Sequence, residues 1–448
     1  MEFTQSYKTK LVNPDYKDAM QYTIELYRSA VSYLINVVND NWNDILSYSS
    51  KFKKTHVEKL IHFTKDNMPF YDFDKCFHKF PSYLRRSAIA DAIGIVSSYR
   101  SNLKNYEEER YNAISNGKRF NKKAPKLSLT HFRCPAFYNG NMYKRLDDTT
   151  VELKIFVNND WIWLKSNLRQ QDINYINKHC SNLKESSPIL TRKGRNFYLV
   201  FSFTGKVELD NTPLEEQKIV AVDLGINNSA VCSLLKYDGT VLKRLFINQA
   251  REKDHQNTLI NRLKIKQQQG GKYSKNLGLW AKLNGLNTHI ENDTVNKIYK
   301  FIVENDANVV VFEYLNFKGK RISGKNNIAT KLNLWAKRAI QNKVMNKAHS
   351  LGIKFRRVCA SNTSALAYDG SGYVKRDKKN YSLCTFKNGK QYNCDLNATY
   401  NIGARYFIKE IEKSISKKKW ADVVAKVPQL STRTQCTLST LISLIAVV

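Results

Sequence analysis

Residues 219–225, Ile-Val-Ala-Val-Asp-Leu-Gly, constrain this chain more than any other stretch. Four consecutive apolar residues suit a central strand that is covered on both faces. The acid that ends the run, Asp223, is costly to bury unless something cationic meets it. The theme recurs twice. Residues 309–314 form a second apolar run ending in Glu313-Tyr314, and Asn393-Cys394-Asp395-Leu396-Asn397-Ala398 sets Asp395 at the start of a helix. Two strand ends and a helix N-terminus can bring three acids to one point.

Each acid also has an ordinary reading. Asp223 before Leu224-Gly225 suits a strand-end turn. Glu313 could pair with Lys318 or Lys320, and Asp395 suits a helix N-cap. Taken in order, however, strand-Asp, strand-Glu and helix-Asp favour shared chemistry. Carboxylates are the side chains that suit Mg²⁺, with Mn²⁺ as a substitute. Two such ions about 3.5–4 Å apart can activate a water and stabilise the departing 3′ oxygen of a phosphodiester. In that reading Asp223 bridges both ions, and Glu313 and Asp395 each complete one. With no cation between them the three repel one another.

Charge narrows the partner. Lys and Arg number 73 against 39 Asp and Glu, a net +34 spread along 448 residues. Such an excess points to a polyanion, nucleic acid ahead of a membrane surface. The 25 Tyr and 21 Phe provide rings on which bases can stack. Two basic stretches are candidate nucleic-acid contacts. Lys51, Lys53 and Lys54 open an irregular segment, 51–81, that also holds His56, Phe70, Tyr71, Phe77 and Phe80. Lys118, Arg119, Lys122 and Lys123 surround Phe120 in a loop that a solvated turn would explain equally well. Eight cysteines without regular spacing, and an opening that lacks a charged-then-apolar layout, lead us to expect reduced thiols in a cytosolic protein. The apolar run 438–448 is too short to span a bilayer and is expected to dock as a helix or strand, or to be a disordered end.

The organisation follows from periodicity. A strand is expected over 4–12, then Asn13-Pro14-Asp15 opens a helix whose buried face is Tyr27, Ala30, Val31, Leu34 and Val38. A second helix, 82–110, buries Ile89, Ile93, Val96 and Leu103. From 149 to 203 the period becomes two, with a turn at Lys193-Gly194, which predicts a small antiparallel barrel completed by the first strand. The division is therefore 1–12 and 118–204 barrel, 13–117 helical recognition insertion, 205–217 linker, and 218–448 a mixed α+β domain. Within the last, three antiparallel strands (219–223, 229–235, 241–247) precede a helical region, 256–305, broken by Gly270-Gly271. The Glu313 strand, a helix over 329–350, a strand over 353–358 and the Asp395 helix complete it. That order is the RNase H-like arrangement.

The motifs carry a resemblance. Ala221-Val222-Asp223-Leu224-Gly225-Ile226-Asn227, Phe312-Glu313-Tyr314-Leu315, and the stretch from Asn393 through Asp395 to Ile402 are similar to the three RuvC motifs of the TnpB family. Those proteins are encoded by bacterial insertion sequences and are similar to type V CRISPR effectors. Thr363-Ser364 also matches the family. The likeness is strong over 218–405 and architectural in the front half. It implies a RuvC-like, Mg²⁺-dependent DNA endonuclease in the bacterial cytoplasm, nucleoid-associated when bound to DNA. It also implies one transposon-end-derived guide RNA per protein monomer, a short target-adjacent motif, and double-stranded target DNA opened as an R-loop. One departure stands out. Family members carry a zinc ribbon of two Cys-x-x-Cys pairs, whereas residues 360–394 here offer only Cys384 and Cys394, with Cys359 just before them. A closed zinc site wants four paired ligands. The ribbon is therefore read as degenerate, without zinc, and packed by Tyr368, Tyr373, Tyr381 and Phe386.

Two other classes share features with the sequence. An RNA-guided DNA-binding repressor would keep the fold and lose acids from the triad, yet all three are present. An actin-like or sugar-kinase ATPase shares the strand-Asp-Leu-Gly opening, but no second glycine-rich Asp loop accompanies it and the charge is of the wrong sign.

Overall fold

The computed structural model describes the chain except residues 13, 270–275, 315–336, 378–379 and 381. Asn13, the Gly270-Gly271 break, Leu315, Lys318, Lys320, Tyr381 and the start of the helix expected over 329–350 lie outside the described residues. The chain divides into two compact units, Thr4–Gly205 and Met1–Phe3 with Lys206–Val448.

In the front unit, alternating sequences give the strands β1 (Glu2–Val12), β2 (Tyr143–Arg145), β3 (Thr150–Val157), β4 (Asp160–Leu168), β5 (Lys184–Glu185), β6 (Ile189–Lys193) and β7 (Asn196–Lys206). They order as β2-β3-β4-β1-β7-β5, with β6 also on β7. Val151, Leu153 and Ile155 point inward on β3, as do Leu199, Phe201 and Phe203 on β7. Among the described residues no ladder joins β2 to β5, so the small barrel expected takes the form of a curled half-barrel sheet.

Between β1 and β2 run α1 (Lys17–Asp40), α2 (Trp42–Ser47), α3 (Lys53–Ile61), α4 (Phe73–Cys76) and α5 (Ser82–Ser115). The expected face of α1 is buried throughout. On α5, burial ends at Val96, and nothing beyond it on the helix is fully covered. Helices and sheet share one hydrophobic core. Phe77 and Phe80 belong to it. Rings of Phe73, Phe77, Phe80 and Trp161 meet in a chain, with Phe80 and Trp161 edge-to-face at 6.0 Å. These two phenylalanines are therefore packing residues and are not available for base stacking. A short helix, α6 (Gln170–Cys180), follows β4.

The rear unit is built on β8 (Ile219–Asp223), β9 (Ala230–Leu235), β10 (Val241–Ile247), β11 (Val309–Tyr314) and β12 (Lys354–Cys359). Their order is β10-β9-β8-β11-β12, antiparallel from β8 through β10 and parallel from β8 through β12. Central β8 explains its own apolar run, because both faces are covered. Val220, Val222, Val310 and Phe312 pack with residues of α8 (Leu277–Glu304), which follows α7 (Ala250–Gln268), and of α9 (Lys337–Ser350). Ile219, Ala221, Val309 and Val311 pack on the other face under α10 (Cys394–Ser414). That helix sits close. A Cβ on Gly403 would lie 3.0 and 3.1 Å from the methyl carbons of Leu235.

A small sheet of β13 (Lys375–Arg376), β14 (Leu383–Thr385) and β15 (Gln391–Asn393) precedes α10. After α10 come α11 (Lys417–Lys426) and α12 (Leu438–Ile445). The C-terminal apolar run is thus a docking helix. It is opened by a Thr437–Thr440 capping box and buries Leu438, Leu441 and Leu444 in the α10 cluster. Among the described residues no helix is long and apolar enough to cross a membrane.

Candidate active site

The register of the parallel strands sets the site. On β8 and β11, Val222 is level with Phe312. The next step along both strands therefore brings Asp223 level with Glu313, on strands spaced about 4.8 Å apart. Both acids have the parity of Ile219, Ala221, Val309 and Val311, so both lie on the face that α10 covers. The first turn of α10 carries Asp395. All three acids are partly exposed.

Asp395 does not cap its helix. The cap is Asn393, whose side-chain oxygen accepts from the Asp395 and Leu396 amides, each at 3.0 Å. The Asp395 carboxylate is instead met by Asn228, whose Nδ2 donates to Oδ2 at 2.9 Å. Asn228 belongs to the loop that leaves β8 after Asp223. Gly225 lets that loop close, because a Cβ there would lie 2.7 Å from the Asn228 carbonyl oxygen. The loop after the first acid thus reaches the third.

Glu313 has its own support. The Thr363 hydroxyl donates to its Oε1, and Gln341 Nε2 donates to its backbone oxygen at 3.0 Å. Thr363 lies in the segment after β12, and buried polar residues of α10 hold that segment. Asn401 donates to the Thr363 and Leu366 carbonyls at 2.9 Å, and Asn397 donates to Leu366 O at 2.7 Å. Arg405 donates to the carbonyls of Cys359 and Ser361 at 2.7 Å and of Cys436 and Thr434 at 3.0 Å. Burial pulls the Arg405 pKa down, opposed by nearby Cys436, Cys359 and Glu313.

In donor type the three carboxylates suit a hard divalent cation. They sit at one end of one sheet and at the N-terminus of the helix on the same face. Asp395 and Glu313 answer to separate neighbours, Asn228 and Thr363, and among the described residues no three His, Cys, Asp or Glu side chains stand close enough together to hold an ion.

The segment read as a degenerate ribbon packs on itself. Cys384 and Cys394 are buried together with Ala367 and Phe386, while Tyr368 meets the rings of Phe386, Tyr392 and Tyr400 at 5.1–5.5 Å. Tyr373, expected in that packing, is 61% exposed. Cys359 lies elsewhere, lining a small cavity with Cys436.

The basic candidates lie in the front unit. Lys51 and Lys54 are exposed and Lys53 is half-buried at the start of α3. Lys118, Arg119, Lys122 and Lys123 are exposed, but their loop is not a free turn. It folds back on α5, where Phe120 meets Tyr106 edge-to-face at 5.3 Å and Lys122 pairs with Glu109. His56 is stacked on Tyr48 and paired with Asp44, which gives it a structural part. Sequence reasoning missed Asn228, Asn393, Asn397, Asn401 and Arg405. The last three were signalled by an i, i+4, i+8 polar stripe on an otherwise apolar helix.

Comparison with known proteins gives three matches. The Aq_aa04 family model matches residues 4–157, inside the front unit. The TnpB-like protein aq_aa05 of Aquifex aeolicus (strain VF5) is 24% identical over 230 residues, 47% of this chain and 74% of the relative. Among solved structures, the mini-RNA-guided endonuclease CRISPR-Cas_phi3 shares the fold. It is 12% identical with a TM-score of 0.51, over 90% of this chain and 92% of its own. The chain is thus similar to a protein described as TnpB-like, and it shares its fold with a solved RNA-guided endonuclease.

Proposed function

We propose that this protein is an RNA-guided DNA endonuclease of the TnpB type, with a RuvC-like, RNase H-like nuclease core in the rear unit. The observation that carries the reading is the register of β8 and β11, which sets Asp223 beside Glu313 on the face covered by the Asp395 helix. Asp223, Glu313 and Asp395 would hold Mg²⁺ or Mn²⁺. When bound, two such ions supply the Lewis acidity that activates a water and stabilises the departing 3′ oxygen. Asn228 orients the Asp395 carboxylate, and Gly225 lets the loop reach it. The ribbon segment is read as free of zinc.

The excess of 34 positive charges suits two polyanions, a transposon-end-derived guide RNA and a double-stranded DNA target. In effectors of this kind base pairing reads the sequence, while the protein reads a short adjacent motif and the backbone. Lys51, Lys53, Lys54, Lys118, Arg119, Lys122 and Lys123 are assigned to those backbone contacts. The protein is expected to act as a monomer with one RNA in the bacterial cytoplasm, on the nucleoid when bound to DNA.

The test is plasmid cleavage with guide RNA and Mg²⁺. Asp223→Ala, Glu313→Ala and Asp395→Ala should each abolish cutting and leave guide and target binding nearly intact. Full cutting by any one removes that residue from the site. Target binding without cutting by the unaltered protein would favour a non-cleaving, RNA-guided repressor.

A further inference from the structure

The polar stripe of α10 serves a purpose that packing alone does not require. Asn397, Asn401 and Arg405 recur at i, i+4 and i+8, so they line one face of the helix. Asn397 and Asn401 are wholly buried and Arg405 is nearly so. Buried polar groups need partners. These three spend their donors on backbone carbonyls of 359–366 and of 434–436. Asn397 and Asn401 also accept, from the Tyr368 amide at 2.8 Å and the Leu438 amide at 3.1 Å. Among the described residues no ladder runs at Thr363 in the segment after β12, and side chains of α10 take its place.

That segment delivers one side chain to the acids. Thr363 is 1% exposed, and its hydroxyl lies within reach of both Glu313 Oε1 and the Ala360 carbonyl, the latter at 3.0 Å. A hydroxyl has one proton to give. A carboxylate is the stronger acceptor of the two, so the proton goes to Glu313.

We infer that Thr363 is a positioning residue for the Glu313 carboxylate, held in place by Asn401 and Arg405 of α10. The inference rests on the proposed nuclease reading, in which Glu313 ligates the metal. Orienting partners of this kind typically change metal affinity or activity by about 10- to 100-fold when removed. Thr363 does not ligate. Its hydroxyl limits the rotation of a carboxylate that does, so its loss should act on metal affinity more than on the rate at saturating metal.

The experiment is Mn²⁺ titration of the full-length, RNA-free protein followed by electron paramagnetic resonance, with the thermal midpoint recorded for each variant. Thr363→Val should weaken Mn²⁺ binding about 10- to 100-fold, whereas Thr363→Ser, which keeps the hydroxyl, should stay within about 3-fold of the unaltered protein. In cleavage, the Mg²⁺ concentration for half-maximal rate should rise in Thr363→Val, with the rate at saturating Mg²⁺ largely kept. Thr363→Ala removes the hydroxyl without seating a second methyl against the carboxylate, and gives the same readout if the valine variant misfolds. The inference is overturned if Glu313→Ala loses Mn²⁺ while Thr363→Val and Thr363→Ala bind it like the unaltered protein; the nuclease reading then stands. If Glu313→Ala binds Mn²⁺ unchanged, the metal role of Glu313 fails and the inference falls with it.

Discussion

Replacing Arg405 by Met tests whether the α10 clamp holds the rear unit together. The guanidinium makes four hydrogen bonds to carbonyls of two separate segments, 359–361 and 434–436. Bonds from a charged donor are worth roughly 1.5–3 kcal/mol each, which gives a gross loss of about 6–12 kcal/mol. Two effects reduce it. The buried cation no longer has to be desolvated, a cost of several kcal/mol. Waters can also reach the orphaned carbonyls through the adjoining cavity of about 90 Å³, lined by Cys359, Arg405 and Cys436. A net destabilisation of about 3–5 kcal/mol remains, within the range for breaking a buried polar network. For a unit of this size that lowers the melting temperature by roughly 6–20 °C. Arg405→Lys should fall between the two, since an ammonium gives three donors from one point and cannot span four carbonyls. Differential scanning calorimetry of the RNA-free protein is the assay. A shift under about 2 °C for Arg405→Met would refute the clamp.

Gly225→Ala should slow cleavage by about 100-fold with guide binding kept, because its Cβ would strike the Asn228 carbonyl and displace the loop that orients Asp395; a normal rate would refute that route. For the basic loop, Lys123→Ala should lower the slope of log K against log salt by about 0.9, and Lys122→Ala by less, because Glu109 already pairs with Lys122. Unchanged slopes for both, measured by target binding of the metal-free complex, would make the loop a surface feature. Burial beside Cys394 pushes the Cys384 thiol up to about 12, so native Cys384 should resist iodoacetamide at pH 8. The sign follows: its contribution to stability is complete below the unfolded thiol value of about 8.5 and is lost as pH rises from there toward 12. Rapid native alkylation would contradict it.

What the sequence made legible were features that local chemistry decides. The run 219–222 read as a central strand because a continuous apolar stretch has no other way to be satisfied in a sheet, and both of its faces are indeed covered. The buried face of α1 was legible from its helical spacing, whereas the run 438–448 left a docking helix, a docking strand and a disordered end equally open. The three acids stood out as candidates because each lies at or beside the end or start of an element, and element ends are where a sheet and a helix can meet. Choices between near-equal neighbours were not legible. Asn393 and Asp395 are both good caps, and only the backbone geometry at the start of α10 gives the cap to Asn393. Phe77 and Phe80 sit among lysines in sequence, yet the fold turns them toward Trp161 and the sheet. Lys122 reads as a free cation until α5 brings Glu109 to it from 13 residues away.

The polar stripe of α10 shows where such reading could go further. Residues 396–408 are buried all round, so period alone reports an interior helix and gives no preferred face. On such a helix an asparagine or arginine can be tolerated only if something meets it. Asn397, Asn401 and Arg405 therefore announce that a backbone segment lies alongside with its own carbonyls unpaired, without saying which segment it is. The segment proves to be the irregular stretch after β12, whose carbonyls take donors from Asn397, Asn401 and Arg405. A buried helix and an irregular loop thus satisfy each other, and the hydroxyl that results is aimed at Glu313. In this chain the polar residues spaced by four on α10 mark the loop that brings Thr363 to Glu313, which the loop's own sequence does not announce.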